Sequence, residues 1–175
     1  SSTENSIRKE IAIMRKCRHP NLVRLLEVID DPRQEKIYIV MEYIPGGPVE
    51  WTDSNQEPIL TLRQIRCIMR DVILGLEYLH HQGIIHRDIK PANIIYTTDR
   101  QSVKIIDFGG TRDAIEDAAL FPDSDLLKRI GTPSFLSPEV VWFADANRPP
   151  ITKAIDIWSL AITFYCLLFG HTPFN

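Results

Sequence analysis

Cysteine is scarce in this chain and poorly placed for pairing: Cys17, Cys67 and Cys166 are odd in number, far apart and set in apolar helical patterns. That excludes a disulfide framework and supplies no thiolate cluster, so buried free thiols in a reducing compartment, the cytoplasm or nucleus, are expected. A run of one charge sign is missing too. The 20 Lys and Arg are scattered among 23 Asp and Glu for a formal charge of −3, no basic block forms, and no aromatic residues alternate with basic ones, so nucleic acid is not an expected partner. The longest apolar run, Ile155 to Phe169, is interrupted by Asp156, Ser159 and Thr163 and falls short of the roughly 20 residues a bilayer span needs. It reads as a buried core helix, and no membrane partner is expected. The opening Ser1-Ser2-Thr3-Glu4-Asn5 has neither the basic start nor the apolar core of a signal peptide. Internal repeats and low-complexity segments are absent, and both ends read as cut, since the chain starts without methionine and stops directly after an apolar helix.

What is present, 44% hydrophobic and 25% charged residues, fits one ordinary globular domain. Ser6 can cap a helix with the stripe Ile7, Ile11, Met14 and Cys17, which Pro20 prevents from continuing. Residues 22–29 and 36–44, rich in Val, Ile and Tyr, read as an antiparallel hairpin. Pro45-Gly46-Gly47-Pro48 then breaks regular structure as a hinge. Thr61 to Gln64 has the form of a capping box, and Ile65, Ile68, Met69, Val72, Ile73, Leu76 and Leu79 follow on one helical face until Gly83. Residues 93–96 and 103–106 read as a second small hairpin, residues 111–130 as a long acidic loop, and a short helix near residues 140–143 precedes the buried helix.

Between the long helix and the second hairpin lies His86-Arg87-Asp88-Ile89-Lys90-Pro91-Ala92-Asn93, an acid, a base and an amide in one irregular turn, with Asp107 following at the end of the next hairpin. Two carboxylates, an amide and an ammonium suit Mg²⁺-assisted phosphoryl transfer, because magnesium takes oxygen ligands and the migrating phosphoryl group needs its charge neutralised. A zinc cluster of His80, His81 and His86 is the weaker reading, since helix-end histidines and a packed imidazole explain these residues without soft ligands.

His86-Arg87-Asp88 with Lys90 and Asn93, then Asp107-Phe108-Gly109, then Ser137-Pro138-Glu139, in this order and spacing, resemble the motifs of the eukaryotic protein kinase family. A lone His-Arg-Asp is weak; three motifs in order, along all 175 residues, are specific. The resemblance implies an α+β, protein-kinase-like fold in part: residues 1–44 the end of the N-lobe, 45–48 the hinge, and 49–175 the first, mainly helical, part of the C-lobe. It implies an ATP- and Mg-dependent serine/threonine kinase with protein substrates. Asp88 would orient the substrate hydroxyl, Lys90 would offset charge on the phosphoryl group, and Asn93 and Asp107 would hold magnesium. Thr132, in Gly131-Thr132-Pro133, matches the residue that hydrogen-bonds the catalytic aspartate and lysine in serine/threonine kinases.

Met41, Glu42 and Ile44 match the gatekeeper and hinge, where backbone groups of Glu42 and Ile44 would pair with adenine, and Ile95 belongs to the same cofactor site. Glu10 matches the regulatory-helix glutamate; its lysine partner and the glycine-rich phosphate loop are expected before residue 1. Met14, Leu25, His86 and Phe108 match the stacked spine, and Asp156 the anchor of the His86 turn. Arg87 is the family's contact for a phosphorylated activation-loop residue. Ser124 is the only hydroxyl between Thr111 and Thr132, so Asp123 or Asp125 is expected to supply the anion instead. Glu139 anchors the substrate loop. Ser137 in place of alanine, Gly110 after the metal motif and Ala161 in the buried helix depart from the family pattern, and none removes a catalytic charge.

Gly47-Pro48-Val49, residues 130–135 and residues 165–170 look like the calcium/calmodulin-dependent protein kinase kinases and the fungal kinases that activate the AMP-activated kinase. Activation-loop threonines of other kinases would then be the substrates. A truncated, non-catalytic kinase-like scaffold is the alternative, on the absent lysine and phosphate loop. A small-molecule phosphotransferase would share the catalytic turn but would not be expected to carry residues 131–139 as a peptide-substrate loop. Alone, residues 1–175 are expected to be marginal, because the first hairpin has an unpaired edge and Ile157, Leu160, Phe164 and Leu168 need cover.

Overall fold

The computed structural model of the chain describes residues 8, 11–31, 37–107, 112–113, 131–141 and 149–174. Residues 11–16 (α1) are helical, and Ile11, Ile13, Met14 and Cys17 are buried. Strands β1 (Leu25–Asp30) and β2 (Ile37–Met41) form the expected antiparallel hairpin, with an irregularity between Leu25 and Glu27. It starts later than the sequence pattern predicts, because residues 21–23 pair elsewhere. Val23 N–H donates to the Ile105 carbonyl (3.0 Å) and Ile105 N–H to the Asn21 carbonyl (2.9 Å). This placement buries Leu22 to 1% exposure, and Asn21 Nδ2 is satisfied by the Val103 carbonyl at 2.9 Å.

Helix α2 (Leu62–His81) is opened by the expected capping box: Thr61 Oγ1 accepts from Gln64 N–H, and Gln64 Oε1 accepts from Thr61 N–H. Ile65, Ile68, Met69, Val72, Leu76 and Leu79 are buried as expected, whereas Ile73 is 47% exposed. Ile73 sits about 100° round the helix from Val72, past the edge of the stripe. Asp71 and Gly75 are buried on the stripe instead. Gly75 lets the chain come close: a Cβ there would stand 3.0 Å from the Asn21 carbonyl and 3.1 Å from Ile105 Cδ1.

Beyond Gly83, whose φ of 77° ends the helix, the chain forms a strand the sequence does not announce. Strand β3 (Ile84–Ile85) pairs antiparallel with β6 (Arg112–Asp113), so the expected long loop is in part strand. Strands β4 (Ile94–Tyr96) and β5 (Val103–Ile105) make the second hairpin, and Asn93 closes a 3₁₀ turn, Pro91–Asn93, rather than opening the strand. The hinge segment is fastened to β4: Tyr96 N–H donates to the Gly47 carbonyl and Val49 N–H to the Ile94 carbonyl, both at 2.9 Å. Residues 138–140 form a turn where a helix was expected to begin, and residues 142–143 lie outside the described residues. Helix α3 (Ala154–Phe169) forms as expected and stops at Gly170, φ 78°, but it is buried on one side only: Ile155, Ile162, Cys166 and Leu167 face inward, while Ile157, Phe164 and Phe169 are exposed. The main core joins α1, α2, β4 and β5 through residues such as Met14, Leu22, Val72, Leu79, Ile94 and Ile105, with Leu167 from α3. The architecture is α+β.

Candidate active site

The turn from His86 to Asn93 is held by α3. Asp156, 0% exposed, accepts His86 N–H on Oδ2 and Arg87 N–H on Oδ1, each at 2.9 Å. Arg87 needs such a hold, because its φ of 76° lies in the left-handed region that costs a non-glycine residue on the order of 1–3 kcal/mol. A third ligand completes the carboxylate: His80 Nε2 lies 2.8 Å from Oδ2. Lys153 Nζ in turn donates to the His80 carbonyl at the end of α2, where a cation complements the helix dipole.

His86 is buried and braces the turn from within. Its Nδ1 accepts from Asp88 N–H at 3.1 Å, so the proton sits on Nε2, which donates to the Ile106 carbonyl at 3.0 Å. The turn is thereby tied to the residue preceding Asp107. Asp107 itself is exposed and adopts φ 63°.

Asp88 gathers the remaining groups. Its carboxylate, 17% exposed, lies 3.7 Å from Lys90 Nζ. Oδ2 accepts from Asn93 Nδ2 at 3.1 Å, while the same amide group donates to the Asp88 carbonyl at 2.8 Å. Oδ1 accepts from Thr132 N–H at 3.2 Å and from Thr132 Oγ1 at 3.1 Å, and that hydroxyl accepts from Lys90 Nζ. Thr132 reaches Asp88 because Gly131 takes φ 121°; a Cβ there would stand 3.0 Å from the Arg87 carbonyl and 2.8 Å from Leu136 Cδ2. An acid, an ammonium and a hydroxyl thus meet at one partly open point, with an amide behind them.

Comparison with known proteins shows the family of the chain. A family model described as the protein kinase domain matches residues 1–175. The chain belongs to the protein kinase family. It is 53% identical to the serine/threonine-protein kinase ssp1 of Schizosaccharomyces pombe, over 100% of this chain and 27% of that protein. It is 42% identical to SNF1-activating kinase 1 of Saccharomyces cerevisiae, over 99% of this chain and 17% of that protein. To the calcium/calmodulin-dependent protein kinase kinase of Caenorhabditis elegans it is 40% identical, over 96% of this chain and 29% of that protein. The kinase chain therefore spans less than a third of the length of these relatives.

Of the residues singled out in the sequence, Asp88, Lys90, Asn93 and Thr132 come together, with Arg87 and Asp156 directly behind them. Arg87 is 6% exposed. Met41, Glu42 and Ile44 lie along the strand end and linker that lead to Val49, and Ile95 stands on β4, bridged to Pro48. Glu139 sits in the turn after the buried Ser137. Glu10, Phe108, Gly109 and Ser124 lie outside the described residues. Cys17 and Cys166 are buried free thiols, as expected, and desolvation pushes each up to about 11. Cys67 is only half-buried, because it lies beside the buried stripe of α2 rather than on it.

The sequence reading took His80 only as a helix-end histidine and did not single out Lys104. His80 follows Leu76 by four and so continues the stripe of α2, a signal that could have separated it from the exposed His81. Lys104 stands opposite Ile95 by the strand register.

Proposed function

We propose that this site transfers the γ-phosphate of ATP to serine or threonine hydroxyls of proteins, and that the parent protein acts on other kinases. The carrying observation is the convergence of Thr132, Lys90 and Asp88. It presents a carboxylate fixed by Thr132 and Asn93 next to an ammonium, the pair needed to orient an acceptor hydroxyl and offset charge on the migrating phosphoryl group. Asp88 would accept the hydrogen bond of the incoming hydroxyl on its solvent-facing side. Lys90 would neutralise the phosphoryl oxygens while Thr132 keeps it aligned with Asp88.

The residues present fit magnesium. Asn93 commits Nδ2 to Asp88, which leaves Oδ1 as its ligand atom, and Asp107 offers an exposed carboxylate. Two hard oxygen donors with phosphates completing the sphere are a magnesium set. When bound, the ion supplies charge neutralisation on the phosphates. Glu42 and Ile44 would hold adenine by backbone groups, between Met41 and Ile95. The kinase-activating relatives named above support a kinase as substrate.

The test uses the full-length protein with γ-labelled ATP, Mg²⁺ and a catalytically dead second kinase. Label is expected on serine or threonine of that kinase's activation loop, and a chelator should abolish transfer. Label on tyrosine, or none at all, would overturn the proposal.

A further inference from the structure

Glu42 and Ile44 lie in a stretch without helix or strand, so no ladder of its own fixes which way their backbone groups point. At Glu42, one backbone bond and two side-chain bonds do so instead. Glu42 N–H donates to the Arg24 carbonyl at 2.9 Å, and Arg24 N–H donates back to Glu42 Oε1 at 2.8 Å. The same Oε1 accepts from Lys104 Nζ at 2.8 Å, with the two side chains only 18% and 26% exposed. Lys104 belongs to β5, where its register partner is Ile95 of β4. One residue thus spans both halves of the proposed adenine site: its backbone is laddered to the floor, and its ammonium grips the linker.

We infer that Lys104 is a positioning residue for nucleotide, latching the Glu42 linker over Ile95; the inference rests on the ATP reading above. An exposed ion pair would contribute little. This one is largely shielded from water, and its carboxylate oxygen also orders the Arg24 amide, so loss of the ammonium leaves a shielded carboxylate with one donor fewer. His19 lies in the same neighbourhood: desolvation holds its pKa below the usual imidazole value, opposed by Glu77 and aided, least of the three, by Lys104. Because Lys104 acts on the linker and not on Asp88, its loss weakens nucleotide binding in ground and transition states alike. That raises KM for ATP and leaves kcat in place.

The experiment measures steady-state kinetics of the full-length protein with ATP varied, and in parallel the Kd of a fluorescent ATP analogue. Lys104→Met is expected to raise both KM and Kd about fivefold or more, with kcat within about twofold, and Lys104→Arg to restore them. Glu42→Gln should raise KM similarly, and adding Lys104→Met to it should do no further harm, because both changes break one latch. Unchanged KM and Kd in Lys104→Met, or effects of the two substitutions that multiply, would overturn the latch. If Lys104→Met fails to fold, Lys104→Gln against Lys104→Arg makes the same comparison. A wild-type protein that binds the analogue but transfers no phosphate would refute the kinase reading and leave the latch to be judged on Kd.

Discussion

Asp156 shows how a single buried carboxylate shapes a site it does not enter. Its three partners, the amides of His86 and Arg87 and the ring of His80, hold a backbone conformation that Arg87 would not adopt unaided. Ser137 is the opposite case. Its hydroxyl oxygen is buried with no hydrogen-bond partner among the described residues, at 1% exposure, in a position where the family resemblance expects alanine. A buried hydroxyl without a partner costs about 1–3 kcal/mol. Ser137→Ala is therefore expected to raise the stability of the protein by about 1 kcal/mol, read as a higher midpoint in thermal or urea unfolding; a lower midpoint would mean that the hydroxyl has a partner. Asp88, Lys90 and Asn93 were legible as residue types suited to phosphoryl transfer. That Thr132, 44 positions from Asp88, closes on them was legible only through the resemblance, since no local spacing encodes a contact of that length.

At the level of elements, local signals were the readable ones. The capping box at Thr61, the apolar stripe of α2, the Val-, Ile- and Tyr-rich runs of the first hairpin and the short apolar segments of the second announced their elements, because each signal depends on neighbours within a few residues. The pairing of β3 with β6 did not show, since two residues are too short for a periodicity and their partners are distant in sequence. Residues 22–23 were read into the first hairpin because an apolar run carries no mark of which strand it will lie beside. The turn at Gly131 joins these levels, for its backbone alone delivers Thr132 to Asp88. Gly131→Ala would place a Cβ 3.0 Å from the Arg87 carbonyl at a φ of 121°. It is expected to lower kcat about tenfold or more through displaced Thr132, with the far-ultraviolet circular dichroism unchanged. Wild-type kcat in that variant would show that the close approach is dispensable.

Across the whole molecule, the fastenings converge on the turn from His86 to Asn93. Helix α3 supplies Asp156 from one side, and residues 131–132 close from another. The hinge segment is laddered to β4, and residues 21–23 to β5. The kinase family assignment covers all of residues 1–175, and among the described residues no helix is long and apolar enough to cross a membrane. The central claim is that Asp88, held by Thr132, Lys90 and Asn93, orients the hydroxyl that receives phosphate. Removing its charge while keeping its shape tests that most directly, by comparing phosphotransfer and ATP binding in full-length wild type and Asp88→Asn. A fall in transfer of at least about a hundredfold is expected, with ATP affinity within about threefold of wild type. Transfer at the wild-type rate by Asp88→Asn would contradict the account.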